Sequence, residues 1–275
     1  MHRVFTAILL CALMWCGPAL AHGDLHDRIE QITGEIDKSP SAGLFFKRAR
    51  LHLEHGDAAA ALTDFHEVDR LAPGVFETDP PRAEGFMVLG KDRSALEVLN
   101  GYLARNPSAS RCLVLRARVL GHLGDPAAAA EDFRKVLSLT PRPEPDLLVE
   151  VSAALAENKE TTAALEVLDQ GIARLGPLPS LVTAAVEIEI GNSNTDGALR
   201  RIDAARTAAP RPEPWMAQRA SILARAGRTE ESRAAWQELL THISTLPASA
   251  RSSHAMSTRI REASDALTAL NSIAK

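Results

Sequence analysis

Residues 56–73 read GDAAAALTDFHEVDRLAP, and residues 124–141 read GDPAAAAEDFRKVLSLTP. Aligned without gaps, the two stretches agree at 10 of 18 positions: the opening Gly-Asp, three alanines, Asp-Phe, Val, Leu and the closing Pro. Between them, Gly90-Lys91 opens a looser copy that closes on Pro107. Gly56, Gly90 and Gly124 therefore step by 34 residues, as do Pro73, Pro107 and Pro141. A period of this length indicates stacked helix pairs, each too small to bury its apolar face without a neighbour.

The residue types fit that reading. A glycine just past the first helix supplies positive φ without the strain that a Cβ brings. Ala61, Ala95 and Ala129 let the second helix press close to the first, and Phe65 and Phe133, one turn on, fill the space beyond. The closing proline stops the second helix and restricts the residue before it. With Phe45 and Ala49 ahead of Gly56, and Leu113 and Ala117 ahead of Gly124, the pattern resembles the tetratricopeptide repeat, a helix-turn-helix unit. The resemblance covers residues 42–247 in register. It implies an all-α, right-handed α-solenoid of about six repeats, each with a helix A and a helix B, and a capping helix at residues 22–41 and again at 248–275.

Later repeats keep the register with local departures. Repeat two has Pro80-Pro81 inside its expected helix A, so that helix is shortened to about Pro81 to Leu89 and the connection from Pro73 to Pro80 is long; proline is tolerated only in a first helical turn. The gap is read either as a tolerated shortening or as the opening of a binding pocket. Repeat four carries Ala164 one residue late, with Asn158 as the expected left-handed residue in a turn that lacks glycine. Repeat five carries Ala198, Ile202 and Pro210, and repeat six carries Trp215, Ala220, Gly227 and Trp236. Pro-Arg-Pro-Glu-Pro occurs at both 141–145 and 210–214, where it sets a rigid entry into helix A. Leu25, Ile29, Ile32 and Ile36 mark one amphipathic helix over 24–37, and a second stripe runs from Ser257 to Ile273; these are the expected caps.

Residues 1–21 read as an export signal. His2 and Arg3 precede an apolar run from Val4 to Cys16, Gly17-Pro18 breaks it, and Ala19-Leu20-Ala21 places small residues at −3 and −1. The run is too short to span a bilayer. This predicts cleavage after Ala21 and a periplasmic or secreted protein whose one remaining thiol, Cys112, can form no internal disulfide. Leu13-Met14-Trp15-Cys16 superficially resembles a lipoprotein box with Cys16 as the anchored residue, but Trp15 departs from the small residue expected there.

The chain is 45% hydrophobic and 24% charged, enough to build a core, and its net charge of −4 offers no basic surplus for nucleic acid. No phosphate-binding glycine loop, zinc-binding His pair or paired-Cys motif occurs, so neither a cofactor nor a metal is expected, a small-molecule ligand is disfavoured, and the chain is read as non-catalytic. His52 and His55, three apart, are read as a packing residue and a solvent-facing one rather than as metal ligands.

The resemblance implies instead a groove walled by A helices that takes another protein or peptide. Carried over residue by residue, it points to Phe46, Lys47 and Arg50 in repeat one and to Arg111, Val114 and Arg118 in repeat three. Glu150 in repeat four and Glu187 in repeat five complete the set. That set is basic early and acidic late, which would orient a partner with its acidic part over the first three repeats; the same charges are equally what a solvated face carries. Some members of the family clamp a C-terminal carboxylate, but only a cation at Arg111 matches that arrangement, so the clamp is not expected.

Overall fold

In the computed structural model, residues 17–273 are described, and no strand occurs among them. Most of the expected export signal lies on residues 1–16, outside the described residues. The chain divides into two compact units at Thr140 and Pro141. In the first unit, α1 (Gly17–Lys38) precedes three helix pairs: α2 (Ala42–His55) with α3 (Ala58–Leu71), α4 (Asp79–Val88) with α5 (Asp92–Arg105), and α6 (Ser110–His122) with α7 (Pro126–Leu139). The second unit pairs α8 (Pro145–Glu157) with α9 (Thr161–Leu175), α10 (Pro179–Gly191) with α11 (Thr195–Ala208), and α12 (Glu213–Arg225) with α13 (Thr229–Thr245). It closes with α14 (Ala248–Arg251) and α15 (His254–Ile273). The six expected helix-turn-helix units are all present. Both caps extend past their apolar stripes: α1 begins at Gly17, and the C-terminal cap is two helices, α14 ahead of α15, where one was expected.

Each A-to-B turn depends on one left-handed residue. Gly56 (φ 86°), Gly90 (66°), Gly124 (79°) and Gly227 (73°) supply it in four repeats. In repeat four the residue is Lys159 (φ 64°), not Asn158, whose φ is −76°. The inserted residue explains the correction, since a step of 35 from Gly124 lands on Lys159, and Asn158 still ends helix α8. A further 34 residues on, Ser193 (φ 59°) does the same work in repeat five. The residue after this turn starts helix B. In three repeats its side chain caps that helix, with Asp57, Asp125 and Asn194 accepting from the amides of Ala60, Ala128 and Gly197.

Small residues bring the helices of each pair together, as the sequence implies. Ala49, Ala61 and Phe65 form one fully buried cluster, with Phe46 set edge-on to Phe65 at 6.0 Å between ring centroids. In the second unit, Trp215, Trp236 and Leu239 share a core with Met256, Ala263 and Leu270, which lie seven residues apart on α15 and close the end of that unit.

The Asp of the repeated Asp-Phe phrase has a role that its sequence alone does not disclose. Arg48 on helix A donates twice to Asp64 on helix B, at 2.8 and 2.7 Å, and Arg116 donates twice to Asp132, at 2.7 Å each. Both carboxylates are buried, so each fork clamps one helix pair from inside. Arg48 also donates to Thr33 on α1 at 3.0 Å, tying the cap to repeat one.

Candidate functional site

Pro80 and Pro81 sit in the first turn of α4, where a missing N–H costs nothing. The helix begins at Asp79, close to the expected Pro81, and a connector from Ala72 to Thr78 spans the gap left behind. The connector is held at several points. Phe76 stacks near Phe46 at 5.2 Å, and the Tyr102 hydroxyl donates to Glu77 at 3.1 Å. Thr78 donates to Asp69 at 2.8 Å, and Arg82 donates to the other oxygen of Asp69 at 3.0 Å.

On one side of the connector lies a cleft of about 340 Å³. Its floor is apolar, made by Phe46 from α2, Pro80 and Pro81 from α4 and Tyr102 from α5; its charges are Arg50 on α2, Arg111 on α6 and Glu77 from the connector. Cys112 also lines it, but burial raises its thiol pKa and makes it a poor nucleophile. Three of the groove residues expected from sequence, Phe46, Arg50 and Arg111, are thus brought together, and they meet across the shortened helix. Lys47 is exposed beside Phe46, Val114 is half-buried one turn past Arg111, and Arg118 is exposed further along α6. Glu150 on α8 and Glu187 on α10 belong to the second unit, half-buried and exposed respectively.

The expected basic character of the early groove needs correcting. Arg111 is paired with Glu84 on α4 at 2.5 Å, and Glu77 shares the cleft with both arginines. Arg50 forms no ion pair among the described residues. Both acids were legible in principle, because a step of 34 from Arg50 lands on Glu84 and a step of 34 back from Arg111 lands on Glu77. The Pro-Pro interruption hid the register of repeat two.

The second unit has a separate cleft of about 600 Å³ at the start of α10 and α12. It is mostly apolar, lined by Pro179, Ala209, Pro210, Pro214 and Trp215 with Arg211 as its cation.

Of the two histidines weighed as ligands, His52 is half-buried, 4.0 Å from Asp64, and burial holds its pKa below the ordinary value; His55 is exposed. Among the described residues, no group of three or more His, Cys, Asp or Glu is placed to hold a metal ion, and no helix is long and apolar enough to cross a membrane.

Helical hairpins packed face to face, with their A helices lining open clefts, define an α-solenoid repeat protein, a class built to present surface. Residues 82–144 match the model of the tetratricopeptide repeat family. Six helix pairs follow one another at steps of 34 residues, with one step of 35, so the chain has the tetratricopeptide-repeat fold and carries that family's repeat over the matched residues. Solved structures agree on the fold. A tetratricopeptide repeat protein from Parabacteroides merdae is 14% identical with a TM-score of 0.59, the match covering 89% of this chain and 94% of that one. The C-terminal part of a repeat-containing protein from Cytophaga hutchinsonii is 14% identical with a TM-score of 0.63, over 84% and 94%. YrrB, described as a tetratricopeptide-repeat protein with an unusual peptide-binding site, is 16% identical with a TM-score of 0.54, over 66% and 94%. No curated protein matches the chain in sequence.

Proposed function

We propose that this protein is an exported, non-catalytic scaffold that holds a partner polypeptide against the A helices of its first unit, with an acidic residue of the partner over Arg50. The observation that carries the reading is the cleft itself, where Phe46, Pro80, Pro81 and Tyr102 offer an apolar floor beside Arg50 and Arg111. Aromatic and proline surfaces take apolar side chains of an extended chain, while an arginine at the rim fixes its direction and register. The fold is one typical of protein–protein interaction, and YrrB, which shares it, has a peptide-binding site of its own.

The test is fluorescence anisotropy with two short labelled peptides, one alternating Glu and Leu and the other alternating Lys and Leu. The acidic peptide is expected to bind more tightly, and Arg50→Glu combined with Arg118→Glu is expected to weaken it about tenfold or more. Equal affinity of parent and variant removes this reading. Export rests on the positive start, apolar run and Ala-Leu-Ala of residues 1–21. Mass spectrometry of the protein from a bacterial host should find His22 at the mature N-terminus. A lipidated Cys16 would mark a tethered subunit of an envelope assembly instead, and an intact Met1 rejects both.

A further inference from the structure

Resting on that reading, we infer that the cleft is gated by its own carboxylates: Glu84 and Glu77 act as tethered competitors for the position an acidic partner takes. Three observations converge. Arg111, at one wall of the cleft, already holds a carboxylate, with Glu84 Oε1 2.5 Å from its Nη2. Glu77 stands in the same cleft as Arg50 and Arg111, fixed there by the Tyr102 hydroxyl at 3.1 Å. Both acids issue from the one repeat whose helix A is shortened, Glu77 from the connector and Glu84 from α4. They are thereby interposed between the cations of repeats one and three.

The exchange is inexpensive because the pair is not buried. The Arg111 side chain is 67% exposed and that of Glu84 30%. An ion pair in that setting is worth roughly 0.2–1 kcal/mol, a small barrier to replacement by a ligand carboxylate. A partner acid directed at Arg111 therefore meets a cation that is already paired, and binding there is an exchange rather than an addition, whereas Arg50 takes an acid without displacing one. A partner carrying several acids, able to displace Glu84 and engage Arg50 together, is favoured over a singly charged one.

The experiment measures binding of the Glu/Leu peptide to the parent protein, Glu84→Gln, Glu77→Gln and the control Glu131→Gln, which removes a charge from an exposed position on α7. Glutamine at 77 keeps an oxygen for the Tyr102 hydroxyl, so the connector stays pinned. Glu84→Gln is expected to tighten binding about 2–5-fold beyond the control. In an Arg111→Gln background that gain is expected to vanish, because Glu84 acts through Arg111. Binding that Arg50→Glu abolishes but that Glu84→Gln and Glu77→Gln change no more than the control overturns the gate and leaves the peptide-binding reading standing. A Glu84→Gln gain that persists without Arg111 also overturns the gate. Failure of both the parent and Glu84→Gln proteins to bind overturns gate and peptide-binding reading together.

Discussion

At the scale of single residues, the six left-handed turn positions are not equally comfortable. Four are glycine, whereas Lys159 and Ser193 hold a Cβ at φ 64° and 59°. An L-residue there carries roughly 1–2 kcal/mol of strain, partly offset by the extra unfolded-state freedom of glycine. Lys159→Gly and Ser193→Gly are each expected to stabilise the second unit by about 0.5–1 kcal/mol, read as a higher midpoint in urea unfolding. An unchanged or lower midpoint refutes the assignment of strain. His52 supplies a pH dependence. Burial holds its folded pKa below the ordinary 6.5, so the folded state binds fewer protons than the unfolded chain in the interval between the two values. Stability is then fully present above the unfolded value and lost as pH falls through the folded one. His52→Gln is expected to flatten the decline in unfolding midpoint between about pH 7 and pH 5, and an equally steep decline rejects the assignment.

At the scale of the element, the helix pair is held by close contact at alanine and by an internal fork of charge. Ala129 is buried against α6, so Ala129→Leu is expected to cost about 1–3 kcal/mol by overpacking, with a clear fall in Tm. The two kinds of ion pair should separate by burial. Asp64→Ala strands the Arg48 guanidinium between α2 and α3 and is expected to cost about 3 kcal/mol, while Arg105→Ala, opposite Asp79 at an exposed rim, should cost no more than about 1 kcal/mol. Equal losses in urea denaturation would contradict this ranking. The alanine contact was legible because Ala recurs in register with Phe. The fork was not, although Asp64 and Asp132 are in plain sight, because Arg48 and Arg116 lie 16 residues upstream and only the antiparallel pairing brings them opposite.

At the scale of the whole molecule, each unit is a series of pairs that bury surface only against their neighbours, so damage should stay local. Asp64→Ala is expected to raise amide exchange in α1 to α5 while α12, α13 and α15 keep their protection; uniform loss across the chain would show a single cooperative block instead.

The period of 34 indicated, without coordinates, that the chain is helical, that about six hairpins follow one another, and where the four glycine turns fall, because small residues, turn glycines and stopping prolines act on the few residues around them; the turn without glycine in repeat four falls on Lys159, one residue past the expected Asn158. The family resemblance, carried over residue by residue, put Phe46, Arg50 and Arg111 in one expected groove set. The three-dimensional packing alone decided what those side chains meet. Whether an arginine is available or already paired depends on which carboxylate the neighbouring helix brings within a few ångströms, and Glu84 reaches Arg111 only because α4 and α6 lie side by side. Coulomb attraction depends on distance in space, and the chain's own numbering does not record that distance.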